Sequence, residues 1–185
     1  MDNVVSAGST TTIVGRLALG VTLLAVGLGH TGLIDGVTAA DAVTLAHYVG
    51  GVALFVAGLF AFREGDAGTG TAFAALGALW FTWAVSPDVS DNAAGLFLLL
   101  FALVVLTLTL AGGDTLGQAM YGLFFVALLL LAIGQFADSG ALGKAGGWFA
   151  VASGAVAWYA ATAALAHWPT ALPRRAAGRG VTAAG

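Results

Sequence analysis

Chemistry needs titratable or nucleophilic side chains, and this sequence carries few. Three histidines, His30, His47 and His167, are the groups whose ordinary pKa lies nearest neutrality. No two of them form an HxxxH pair and there is no cysteine, so the spacings that hold zinc are missing and neither a metal nor a cofactor is expected. His30 and His47 flank Asp35 and Asp41. That placement suits interfacial histidines with backbone or water partners, or a proton-sensitive vestibule. Val151-Ala152-Ser153-Gly154 superficially has the look of an intramembrane serine protease. Its base would have to come from another helix, whereas His167 lies fourteen residues further along the same one, about 21 Å away at ~1.5 Å per residue. Ser153 is therefore expected to pack on a small-residue face. Gly112-Gly113-Asp114-Thr115 reads as a turn and helix cap. With no nucleophile–base pair and no phosphate loop, the chain is not expected to be an enzyme.

The elements that must carry these residues follow from composition. Of 185 residues, 59% are hydrophobic and only 8% are charged, against about 25% charged in soluble domains. Six Lys+Arg give no footprint for nucleic acid. The charges instead punctuate six uncharged runs, 17–34, 42–62, 67–87, 92–113, 115–137 and 145–173, which are 18 to 29 residues long. About 20 apolar residues in a helix cross a ~30 Å hydrocarbon core. In lipid the backbone must satisfy itself, and these runs do not alternate as barrel strands do. The expected fold is all-α, an integral membrane bundle of six transmembrane helices near 14–32, 39–62, 69–86, 93–111, 115–136 and 145–168. Residues 13–168 form one domain in this reading, with loose tails at 1–12 and 169–185. Ser86-Pro87-Asp88 is expected to end the third helix.

Alternating spans place Arg16, Arg63, Arg174, Arg175 and Arg179 on one side and Lys144 on the other. The positive-inside rule then puts both termini in the cytoplasm of a cell-membrane protein. Trp80, Trp83 and Trp148 fit an outer aromatic belt and Trp168 an inner one, whereas Trp158 and Tyr159 are expected to pack on a neighbour. Small residues recur at helical spacing at Gly147, Ala150, Gly154, Ala157, Ala161 and Ala164, and again at Gly50, Ala53, Ala57 and Ala61. Such stripes suit close helix contacts within one bundle first and between subunits second. No acid or base falls at mid-span. A path lined by hydroxyls, amides and glycine backbone suits a small polar solute better than a bare cation.

Residues 48–66, Tyr-Val-Gly-Gly-Val-Ala-Leu-Phe-Val-Ala-Gly-Leu-Phe-Ala-Phe-Arg-Glu-Gly-Asp, are followed by Thr71-Ala72-Phe73, Gly77 and Trp80. Further on stand Leu131-Ala132-Ile133-Gly134, Ala145-Gly146-Gly147-Trp148, Gly154-Ala155 and Tyr159. Together with Gly15, Thr22 and Gly32 in the first expected helix, this order resembles the acetate uptake transporter family, GPR1/FUN34/YaaH, over about residues 13–168. The resemblance implies a six-helix protomer, assembled as a homo-hexamer, with a path through each protomer for acetate and in some members succinate, generally with protons. It also implies an apolar constriction of the path, at Leu19, Leu76 and Phe124 by position. Gly15, Thr22, Gly50, Gly51, Thr71 and Gln135 are the candidate path residues. The family's N-P-A-P-L-G-L signature is absent, and 11–17 reads Thr-Thr-Ile-Val-Gly-Arg-Leu. Leu54 stands where a polar residue is common, Leu76 replaces a tyrosine and His30 an asparagine. With fewer donors to meet a carboxylate, the solute would cross protonated or uncharged, or Arg16 and His30 would supply positive charge at the mouths, with His47 a further proton-sensitive group. The competing expectations are a channel for urea, an amide or ammonia, and a non-transporting membrane protein that kept the fold.

Overall fold

Every helix in the described part of the chain starts on a Ser, Thr or Asp whose side chain accepts a backbone N–H three residues on: Ser9, Thr38, Asp66, Ser90, Asp114 and Ser139. These caps satisfy donors that a helix cannot satisfy itself. They delimit six helices in a computed structural model that describes residues 9–86 and 88–168. The helices are α1 (Thr10–Thr31), α2 (Ala39–Arg63), α3 (Ala67–Ala84), α4 (Asp91–Leu110), α5 (Thr115–Phe136) and α6 (Gly140–Leu165). Left-handed glycines end two of them, Gly32 at φ 67° and Gly65 at φ 81°. The fold is the expected all-helical bundle. Caps at Ser9 and Ser139 start α1 and α6 four and five residues before the sequence reading placed them, so 10–12 are helical rather than loose. Pro87, residues 1–8 and residues 169–185, with Arg174, Arg175 and Arg179, lie outside the described residues.

By length and composition, five of the helices are apolar enough to cross a membrane. The sixth, α3, is diluted by glycine, threonine and tryptophan. It compensates by burial, since Gly70, Ala72, Phe73, Leu76, Gly77, Leu79 and Trp80 all lie inside. The bundle is apolar outside as well: Leu96, Leu100 and Leu103 of α4 are each more than half exposed. A soluble domain seldom leaves so continuous an apolar surface uncovered, whereas lipid covers it at no cost. The chain is a multi-pass membrane protein.

Neighbouring helices form a ring in the order α3, α2, α1, α6, α5, α4, with sparse contact closing it between α4 and α3. The tightest seam, α1 on α6, is built on glycine. A Cβ at Gly27 would stand 2.7 Å from the Gly147 carbonyl, and one at Gly147 would stand 2.8 Å from that of Gly27. One turn pair further, a Cβ at Gly154 would meet the Gly20 carbonyl at 2.9 Å. The α6 stripe thus packs within the protomer. Without a hydrophobic drive between helices in lipid, this closeness gains dispersion contacts.

In α2 the expected stripe is corrected at Ala53, while Gly50, Ala57 and Ala61 are buried. Residues His47–Ala53 form a π turn inside the helix, which lengthens the inward spacing to four. Ala42, Ala46, Gly50 and Leu54 point inward and Ala53 is exposed. One aromatic placement is corrected as well. Trp80 is buried in the core instead of lying in a belt, whereas Trp158 and Tyr159 are half exposed on α6 within the protomer.

Candidate functional site

No extensive backbone contact joins α1, α3 and α5, so side chains alone fill the axis between them. At the end where α1 begins, Arg16 pairs with Asp114 at 2.5 Å, and the Thr11 hydroxyl donates to the Glu64 carboxylate. Arg16 is one alternative source of positive charge at a mouth, and here that charge is met by the Asp114 carboxylate. Just inside, the Phe73 ring lies directly over Gly15, where a Cβ would overlap it at 2.0 Å. Gly15 is therefore a seat for an aromatic ring that the sequence reading did not single out as a site.

The next layer holds Leu19, Leu76 and Phe124, from α1, α3 and α5. They are 0%, 0% and 1% exposed and belong to one core cluster. Phe124 stacks on Trp80, with ring centroids 6.0 Å apart and planes 7° from parallel. Beyond this layer lies a cavity of about 20 Å³, room for about one water molecule. Leu23, Val26, Leu79, Leu128 and Leu131 line it, along with Trp80, Phe124 and His30. The His30 Nδ1 donates to the Val26 carbonyl at 2.8 Å, which pins the ring at the far end of the axis. Two buried side-chain atoms near this axis have no hydrogen-bond partner among the described residues, Thr22 Oγ1 and Trp80 Nε1.

The remaining candidates divide. Thr22 and Gly50 meet in the interior: a Cβ on Gly50 would stand 2.8 Å from Thr22 Oγ1. Gly51 faces the backbone of Phe81 at 3.2 Å and serves the α2–α3 seam. Thr71 is exposed on the outer surface, and Gln135 is half-buried near the end of α5. His47 lies tilted against Phe81 and edge-on to Tyr48, with centroids 4.7 Å and 4.9 Å away. His167 lies just past α6 on an exposed turn. Ser153 is fully buried and donates to the Met120 carbonyl at 2.7 Å, which ties α6 to α5. Among the described residues no group of three or more His, Cys, Asp or Glu side chains is placed to hold a metal. Trp80 and the cavity were missed as site features. A tryptophan among the glycines and threonines of 67–84 was the available signal for the first.

Comparison with known proteins gives three findings. A model of the GPR1/FUN34/yaaH family matches residues 7–171. Among curated proteins, the chain is 29% identical over 140 residues to "Ammonia transport outward protein 3" of Saccharomyces cerevisiae, covering 64% of this chain and 48% of that protein. It is also 29% identical over 142 residues to "Glyoxylate pathway regulator" of Yarrowia lipolytica, covering 68% of this chain and 52% of that one. The matched stretch thus spans about half the length of these relatives. Among solved structures, the bacterial acetate channel SatP superposes with a TM-score of 0.77 at 24% identity, over 86% of this chain and 93% of that one. At that identity the likeness is one of fold.

Proposed function

The chain belongs to the GPR1/FUN34/yaaH family, and from that premise we propose that it is a membrane channel or transporter for small monocarboxylates, with acetate the first candidate. The solute passes within each protomer, along the axis between α1, α3 and α5. The observation that carries this reading is the apolar layer of Leu19, Leu76 and Phe124 with a small cavity directly beyond it. The layer is buried and formed by side chains, and in this reading it opens by rotamer changes. It presents no fixed charge. A bare carboxylate there would lose its hydration without recompense, so the acid form crosses, or a proton travels with the anion. The fold shared with the SatP acetate channel fits a channel for such a solute. Both termini lie in the cytoplasm of a cell membrane in this reading, and the half-exposed Trp158 and Tyr159 suit a face between copies in a hexamer.

Labelled acetate uptake into proteoliposomes tests the proposal. Uptake above that of empty liposomes, rising between about pH 7.5 and pH 5 (a window that brackets the ordinary histidine pKa), is the expected result. Equal uptake with and without the protein across that range contradicts it.

A second reading has a specific observation in its favour. One relative is named as an ammonia transport outward protein, and an uncharged throat admits ammonia or another small neutral solute. Parallel acetate and ammonia fluxes through the same proteoliposomes decide between the two.

A further inference from the structure

We infer that Trp80 and Thr22 form a two-donor selectivity step in the throat, one that grips an acceptor oxygen of a small carboxylic solute. This inference rests on the solute path proposed above. Thr22 is 1% exposed and Trp80 5%, and neither Thr22 Oγ1 nor Trp80 Nε1 has a partner among the described residues. Buried polar groups are nearly always paired, and those that are not call for an explanation. In hydrocarbon the pressure is greater, because no water competes for them. Most threonines in membrane helices satisfy themselves on their own backbone. Thr44, Thr107 and Thr109 do so here, bonding the carbonyl four residues back at 2.9, 3.0 and 2.9 Å. Thr22 does not.

The two side chains meet at Gly50. The position of a Cβ on Gly50 would be 2.5 Å from Thr22 Cγ2, 2.8 Å from Thr22 Oγ1 and 3.0 Å from Trp80 Cγ. Glycine at 50 lets both side chains close on α2. The π turn His47–Ala53 is what turns that glycine inward, and π turns inside α-helices recur at functional sites. Trp80 also lines the cavity and stacks on Phe124 of the apolar layer, so its indole belongs to the wall of the path.

The donor inventory sets the ligand class. An indole N–H only donates, and a threonine hydroxyl donates or accepts. A solute bearing a carboxyl or carbonyl oxygen satisfies both groups as it leaves the apolar layer. An ammonium ion, which only donates, satisfies at most the threonine. The step therefore favours carboxylic solutes over cations without any charged side chain.

The test compares acetate and methylammonium flux in proteoliposomes for the wild type, Trp80→Phe, Thr22→Val and Thr22→Ser. Phenylalanine keeps the ring on Phe124 and removes the N–H. Valine keeps the shape of threonine and removes the hydroxyl, whereas serine retains it. Trp80→Phe and Thr22→Val are each expected to raise the half-saturating acetate concentration by several-fold to about tenfold, the loss of one hydrogen bond. Thr22→Ser should stay close to wild type, and neither loss should lower methylammonium flux. Acetate saturation unchanged in both Trp80→Phe and Thr22→Val, with wild-type flux intact, overturns the two-donor step and leaves the path standing. No acetate flux through the wild type overturns the path itself. The Thr22→Val and Thr22→Ser pair tests the hydroxyl on its own, so a Trp80→Phe protein that fails to fold does not shelter the inference.

Discussion

Leu76 illustrates how a single side chain carries both stability and the proposed gate. It is fully buried, and truncation to alanine should cost about 2–5 kcal/mol through lost transfer energy and the cavity left behind. The same truncation widens the apolar layer. Leu76→Ala is therefore expected to lower the thermal midpoint in detergent while raising solute flux, and a lower midpoint with unchanged flux would place the path elsewhere. Asp66 does a different job at the start of α3, outside the spans. The Thr69 side chain, then its backbone N–H, hold the Asp66 carboxyl below the usual carboxylate range, against a small opposing effect of burial. A folded value below the unfolded one means the stabilisation is complete above the ordinary carboxylate pKa and is lost as pH falls through the lower, folded value. Asp66→Ala should cost about 0.5–2 kcal/mol, as for other N-caps. The difference between variant and wild type, followed by unfolding midpoint, should shrink only under strongly acidic conditions. A difference that disappears near neutrality would contradict that sign.

Among the elements, α2 is where sequence and structure part most. Its apolar content predicts a helix over 39–62, and a helix is there. The π turn leaves that content unchanged and alters only which carbonyl each N–H reaches, so no hydropathy pattern reveals it. Its trace is the inward register, with Gly50 and Leu54 buried and Ala53 outside. Deleting Ala53 should restore a plain α-helix and rotate the preceding turns by about 100°, taking Ala42 and Ala46 off the core. A marked fall in thermal midpoint is expected for the deletion, whereas Ala53→Leu at the same exposed position should be tolerated. Equal behaviour of the two would argue that the π turn does not set the register. The α1–α6 seam makes a second case. Gly27→Leu drives a side chain into the Gly147 carbonyl and the Val151 N–H, each 2.7 Å from the first added carbon. Overpacking of this kind costs about 1–3 kcal/mol where the neighbours can move. Here the neighbours are backbone, so loss of the folded protein by size-exclusion elution is the expected outcome, and normal elution would mean that α1 and α6 can separate.

For the whole molecule, the spans were legible because so few charges interrupt them, whereas the ring order was not, since its tightest seam joins α1 and α6, which no connection links. The faces were less legible. A helix that meets lipid outside and apolar core inside is hydrophobic all round and carries little directional pattern. Thr71 looked like a path residue and lies outside, and Trp80 looked like a belt residue and lies inside. Glycine was the better guide, since Gly15, Gly27, Gly50 and Gly147 all mark close approaches. The outward Trp158 is 50% exposed. In the proposed assembly, Trp158→Ala should lower the oligomer mass in mild detergent without unfolding the protomer, and an unchanged mass would put the subunit contact on another face. The absence of any cysteine makes the central claim, a solute path along α1, α3 and α5, directly accessible. Leu23→Cys and Leu128→Cys place single thiols in the cavity wall, and Leu100→Cys places one on the outer face. Methyl methanethiosulfonate, a small neutral reagent, should block acetate flux in the first two and leave the third untouched, with added acetate slowing the block. Flux that persists after both cavity thiols are modified would contradict the path.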